Sequence, residues 1–187
     1  MDDNKYRWAG IICAGDATLI LEGTNTVRGF YNIYPSIYVP VGRNLTIKGE
    51  GSLEASSNGL AAGIGEEYDN ACGNIIIDGG TITATGCRNA AGIGGAYYGA
   101  CGNITTINGG TITATGSTYA AGIGCGEVSK CGSITIDSNV ISVTATKGSK
   151  AKHSIGDGRL VRSGTVTIGG LAEKITESPY TYAPVHL

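Results

Sequence analysis

The chain has 187 residues, 32 of them glycine, with a formal net charge of −2 and a hydrophobic share of 41%. That length fits one domain, and the missing Gly-X-Y period and the apolar share exclude collagen and disorder. A weak negative charge with no basic tract excludes nucleic acid and an anionic membrane surface as expected partners.

Only one Phe, one Trp and one Met are present. A core must therefore come from Ile, Val, Leu and Ala, which suits thin, stacked β-layers. Met1-Asp2-Asp3-Asn4-Lys5 lacks the build of a signal peptide, and no apolar run is long enough to span a membrane. The chain is therefore expected to be a segment of a longer precursor, with no membrane insertion of its own.

In chain order, the first strand-like runs fall at 18–22, 25–28 and 36–39, followed by 45–47 and 52–56. Ala61-Ala62-Gly63-Ile64-Gly65 then introduces a string that recurs at 90–94 and 120–124, with a degenerate copy ending in Ile155-Gly156. At one fixed offset from these copies stand Cys72, Cys101, Cys131 and Ser163. A β-rich run follows each time, at 74–77, 103–107, 133–136 and 165–168. A Thr-Ile-Thr-Ala-Thr segment comes next at 81–85 and 111–115, and its variant at 142–146.

No segment has the length or the 3.6-residue period of a helix. An antiparallel sandwich or propeller and a parallel β-helix remain. Identical residues at fixed offsets favour the β-helix, where each residue stacks on its own copy about 4.8 Å away. Alternation points Ile82, Ala84, Ile112, Ala114, Val143 and Ala145 inward and the threonines outward, with Gly at the corners. The expected architecture is all-β, a parallel β-helix solenoid of about six coils with roughly 30 residues each. It forms a single domain over 1–187: a capping coil at 1–44, regular coils at 45–164, and a C-terminal coil and tail at 165–187.

Ala-Gly-Ile-Gly followed by Cys-Gly-Asn-Ile and Gly-Gly-Thr-Ile-Thr-Ala-Thr-Gly resembles repeat regions of large modular surface proteins of Gram-positive anaerobes. The upstream run from Gly15 to Val27, with Tyr38-Val39-Pro40 and the segment 45–51, looks like the opening of such regions. The resemblance covers roughly residues 8–170. It implies an extracellular, right-handed β-helix of adhesin-like or carbohydrate-binding character, and it brings no active-site motif.

Several side-chain groups are candidates for function. Cys72, Cys101 and Cys131 form a ladder whose simplest role is a row of small buried thiols, although neighbouring coils would also bring them within disulfide reach. Cys125 and Cys131 flank a short loop and could pair, though no spacing compels it. A linear ladder does not converge four ligands, and His153 and His186 are the only histidines, so no metal is expected there. Asp78, Asn108 and Asp137 share one repeat position, with Lys48 before the same corner one coil earlier. A catalytic acid row would look like this, but Asx before a tight corner is first a turn former.

Glu66, Glu67 and Asp69 make an acidic loop that calcium could join through oxygen ligands, or that is simply solvated. Tyr68 and Tyr97 hold equivalent loop positions, with Tyr98 and Tyr119 nearby, while Tyr31, Tyr34 and Tyr38 cluster upstream. Exposed rings of this kind stack on sugars or anchor protein partners. The outward threonines form a hydroxyl grid that could order water or bind ice, against the plainer reading of β-propensity.

The function expected from these features is non-catalytic. The chain reads as a monomeric binding or adhesion module within a larger secreted or cell-surface bacterial protein. Its ligand would be a host glycan or host protein, such as mucin or immunoglobulin, held along one edge. A polysaccharide-active enzyme is the second class and requires acids from different coils to converge roughly 5–9 Å apart. A pure spacer is the third.

Overall fold

The computed structural model describes residues 8–101, 105–160 and 162–185. Met1–Lys5, Asn103, Ile104 and His186, named above, lie outside the described residues, as does the side chain of Cys101. All the regular structure described is β. The first coil carries β1 (Ile11–Ile12), β2 (Ala17–Leu21) and β3 (Thr24–Arg28), and the second β4 (Ile37–Tyr38), β5 (Asn44–Gly49) and β6 (Ser52–Ser56). The third has β7 (Ile64–Gly65), β8 (Ala71–Cys72), β9 (Asn74–Ile77) and β10 (Thr81–Thr85). The fourth repeats these as β11 (Ile93–Gly94), β12 (Ala100–Cys101), β13 (Thr105–Ile107) and β14 (Thr111–Thr115). The fifth holds β15 (Ile123–Gly124), β16 (Ile134–Ile136) and β17 (Ser142–Thr146). The sixth begins with β18 (Ile155–Gly156) and β19 (Val166–Ile168), then turns back through β20 (Leu171–Ala172) and β21 (Tyr180–Tyr182).

Three long sheets result, one strand per coil on each, β1-β4-β7-β11-β15-β18, β2-β5-β9-β13-β16-β19-β20 and β3-β6-β10-β14-β17-β21, and β8 and β12 pair as a short fourth sheet. Pairing between coils is parallel and in register, so Ile82 meets Ile112 and Ala84 meets Ala114, and these meet Val143 and Ala145 in turn. That parallel solenoid is the architecture the repeat predicts. Five coils are complete, and the third face of the sixth is taken by β21, antiparallel to β17, while β20 folds antiparallel onto β19. The degenerate last copy has no strand to continue the third ladder, and the tail fills its place.

Stacked aliphatic side chains fill the interior. Ile64, Ile93, Ile123 and Ile155 line the first face, Ile47, Ile77, Ile107 and Ile136 the second, and Ile82, Ile112 and Val143 the third, all with 0% exposure. Each contributes roughly 1.5–3 kcal/mol of burial, which explains a stable core without large aromatics. The recurring Gly-Ile-Gly has a local cause. Gly65, Gly94 and Gly124 sit at φ of 132°, 121° and 131°, and a Cβ on any of them would come within 2.5 Å of the carbonyl oxygen of the next coil's glycine.

Polar ladders trim the corners. Asn44 donates both its backbone N–H and its side-chain Nδ2 to the Asp16 carboxylate at 2.9 Å, and Asn74 Nδ2 donates to Asn44 Oδ1 at 2.7 Å. The candidate acid row is occupied likewise. Asn108 Nδ2 donates to Asp78 Oδ1 at 2.8 Å, and Asp137 Oδ1 accepts the N–H of Asn139 at 2.9 Å.

Candidate functional site

The copies differ most in the loop that leaves the first face, at 66–71, 95–100 and 125–130. Backbone bonds lock these loops into a stack. The N–H of Asp69 donates to Tyr97 O, that of Tyr98 to Glu127 O, and that of Val128 to Arg159 O, each at 3.2 Å. Two outer columns follow from this pairing. One contains Tyr68, Tyr97, Glu127 and Arg159. The other contains Asp69, Tyr98, Val128 and Leu160, at φ of 58°, 60°, 57° and 66°. A whole column of non-glycine residues is thus held in the left-handed region, a conformation that is costly above all for the β-branched Val128.

The structure brings three of the sequence-predicted tyrosines together. Ring centroids lie 6.0 Å apart for Tyr68 and Tyr97, 6.5 Å for Tyr68 and Tyr98, and 4.2 Å for Tyr97 and Tyr98. Tyr98 is 50% exposed, so the cluster opens to solvent. The Tyr97 hydroxyl is pushed up to about 12, first by its hydrogen bond with Tyr98, then by burial and by the nearby Tyr98, Glu127 and Tyr68. Tyr119 lies further along, among cations. Arg159 stands 4.8 Å and Lys150 Nζ 5.2 Å from its ring centroid, and Lys150 Nζ donates to its Oη at 3.3 Å. Arg159 also pairs with Glu127 Oε1 at 3.3 Å. The edge is therefore aromatic over the third and fourth coils and ionic over the fifth and sixth.

The acidic loop departs from the sequence reading at its first residue. Glu66 is buried, and its Oε2 accepts the N–H of Ala96 at 2.6 Å. It is not available to a ligand or to calcium at the surface. The next carboxyl, Glu67, is part-buried and raised by that burial against a hydrogen bond from Asn70, while Asp69 is exposed. Tyr38, in register with Gly65, has its hydroxyl raised by burial and then by Glu67 and Glu66. Among the described residues no group of three or more His, Cys, Asp and Glu side chains is arranged to hold a metal.

Beneath the loops lies a polar seam that sequence reasoning missed. Glu66, Gly95, Cys125 and Asp157 each follow a Gly-Ile-Gly copy, and the last two stand beside Cys131 and Ser163 of the cysteine row. In the sixth coil Asp157 Oδ1 accepts the N–H and Oγ of Ser163 at 2.7 and 2.8 Å and pairs with Lys174 Nζ at 2.7 Å. His153 Nδ1 stands 3.6 Å from the other oxygen of that carboxylate. The cysteine row is not uniformly a row of inert thiols. Cys72 is disulfide-bonded, whereas Cys13, Cys87, Cys125 and Cys131 are free. The only sequence signal for this seam was the disagreement of the copies at one position.

The threonine face is more extensive than the three clean copies indicated. Thr26, Glu54, Thr83, Thr113 and Thr144 run in register along it, and Thr181 of β21 continues the row through a 3.0 Å hydroxyl contact with Thr144.

Residues 45–65, 75–97 and 106–127 match the family described as beta helix repeat. Searches of curated proteins and of solved structures found no match.

Proposed function

We propose that this chain is a non-catalytic binding module of a secreted or cell-surface bacterial protein, and that the edge formed by Tyr68, Tyr97 and Tyr98 takes a host glycan. The observation that carries this reading is the convergence of three rings from two successive coils, one of them half exposed, on a rigid backbone ladder. Aromatic faces stack on the apolar face of a pyranose ring at small entropic cost, because only two side-chain torsions per Tyr need fixing. Arg159, exposed in the same column and held by Glu127, supplies a polar partner for sugar hydroxyls. A binding role is favoured over hydrolysis by the state of the nearby carboxylates. Glu66 is bonded inside the stack and Glu127 is paired with Arg159, so the carboxyls left at the edge, Glu67 and Asp69, belong to one loop and do not converge on a groove from different coils.

The test is a glycan and host-protein array probed with the purified chain and with Tyr97→Ala and Tyr98→Ala. Glycan signals that fall at least tenfold in both variants, with the fold unchanged by circular dichroism, are the expected result. Undiminished glycan binding, or binding to host protein alone, would overturn the assignment.

A further inference from the structure

Cys125 is fully buried at the inner position of the fifth-coil loop, and Cys131 lies part-exposed where the loop rejoins the stack. We propose that these two residues are an oxidation site that closes the loop by an intramolecular disulfide. The geometry points there twice. Cys125 lies near enough to Cys131 to raise its thiol, and the pair is seated directly against Asp157 and Ser163 of the next coil, since Cys131 bridges Ser163 and the N–H of Cys125 donates to Gly156 O at 2.9 Å. In the next coil the equivalent pair, Asp157 and Ser163, meets side chain to side chain at 2.8 Å, so the loop itself brings the residues at these two positions together.

The surroundings complete the case. Ser129 Oγ lies 3.8 Å from Cys131 Sγ and accepts the N–H of Gly126 at 2.9 Å. A Cβ built on Gly95 would come 3.0 Å from Cys131 Sγ, so the glycine of the coil below leaves the space beside that sulfur open. Burial, the contact with Cys125 and the charge of Glu66 hold the Cys131 thiol well above its ordinary value. The thiolate is scarce at neutral pH and the reaction is slow there.

The oxidant is a small disulfide such as oxidised glutathione, in thiol–disulfide exchange. Cys131, the more accessible thiol, loses its proton and attacks one glutathione sulfur, which releases one glutathione thiolate. Cys125 then loses its proton and attacks the Cys131 sulfur of the mixed disulfide, expelling the second glutathione. Two S–H bonds are exchanged for one S–S bond, and one oxidised glutathione becomes two reduced molecules. The closed loop carries Glu127 and Val128, so oxidation stiffens that part of the outer columns. The site itself does not depend on what the edge binds.

The experiment takes the folded chain through a glutathione redox buffer, blocks remaining thiols in denaturant and reads intact mass and linked peptides. The expected outcome is a loss of about 2 Da before blocking, a fall from four alkylated thiols (Cys13, Cys87, Cys125 and Cys131) to two, and fragment ions that place the link between Cys125 and Cys131. Formation should speed up as pH rises through 7 to 9. The Cys13→Ser/Cys87→Ser chain, which keeps the pair, should behave identically, and Cys125→Ser should leave Cys131 able only to form a mixed disulfide. Four thiols still alkylated after oxidation, or a link from Cys131 to any other cysteine, would overturn the proposal.

Discussion

The carboxylate of Glu66 reaches through the stack to the backbone of the next coil, where its Oε2 accepts the N–H of Ala96 at 2.6 Å. This bond ties the loop of Tyr68 to the loop of Tyr97 from beneath. It also explains Gly99, where an added Cβ would fall 2.0 Å from the Glu66 carboxyl carbon. Glu66→Ala strips the acceptor from a buried N–H and should cost about 1–3 kcal/mol. Glu66→Gln keeps an acceptor and should cost less. Urea midpoints rank the two, and faster amide exchange at Ala96 in the alanine variant identifies the lost bond. Equal stability of both variants with the parent would remove Glu66 from this role.

How much of this was legible in the sequence depends on the residue. The inward set of Ile82, Ile112 and Val143 follows from period-two alternation repeated in register, which no other fold accommodates as well. The clustering of Tyr68 with Tyr97 follows from the same repeat. Burial of Glu66 does not follow, because a charged residue in a loop is ordinarily solvated and its partner is a backbone N–H without side-chain identity. Lys174 likewise meets Asp157 only because β20 and β21 reverse direction, at a point where the repeat has no further copy to set a register.

Position 94 gives a sharp test of the stacking itself. Gly94 has φ of 121°, and a Cβ there would approach Gly124 O to 2.4 Å. Ordinary Gly→Ala replacements at compatible positions stabilise by about 0.4–1 kcal/mol. Here both the backbone and the neighbouring coil refuse the methyl group, so Gly94→Ala should destabilise by more than about 3 kcal/mol or abolish folding. Ala91, also buried, bears a Cβ already, so the contrast is between two positions in one short string. Thermal unfolding of Gly94→Ala at or above the parent Tm would refute the register.

The left-handed column offers the opposite sign. Val128, β-branched and at φ of 57°, stores strain of about 1–3 kcal/mol. Asn tolerates this region and lacks the entropic cost of about 1 kcal/mol that Gly carries. Val128→Asn should therefore raise stability by roughly 0.5–1.5 kcal/mol, and Val128→Gly by less. Denaturant midpoints decide it. A loss of stability in Val128→Asn would mean that the valine's packing outweighs its backbone.

At the C-terminal end the same seam becomes sensitive to acid. Burial by itself would raise the Asp157 carboxyl, but hydrogen bonds from Lys174 and from the N–H and Oγ of Ser163 outweigh it and hold Asp157 below its ordinary value. A folded value lowered in this way contributes stability that is fully present above the unfolded carboxylate range, near pH 4, and is lost as pH falls through the folded value. His153 is lowered as well, first by burial and then by Lys174, Lys147 and Lys152 against the attraction of Asp157. Its contribution begins to fade lower than about pH 6.5, where the unfolded chain takes up a proton first. Lys174→Met removes the strongest partner of Asp157 and leaves the burial penalty less opposed. The variant should lose about 1–3 kcal/mol at neutral pH and begin acid unfolding at a higher pH than the parent. If the acid midpoint stays where it is while neutral stability falls, Lys174 acts by packing its aliphatic stem on Gly156 and not through the carboxylate of Asp157.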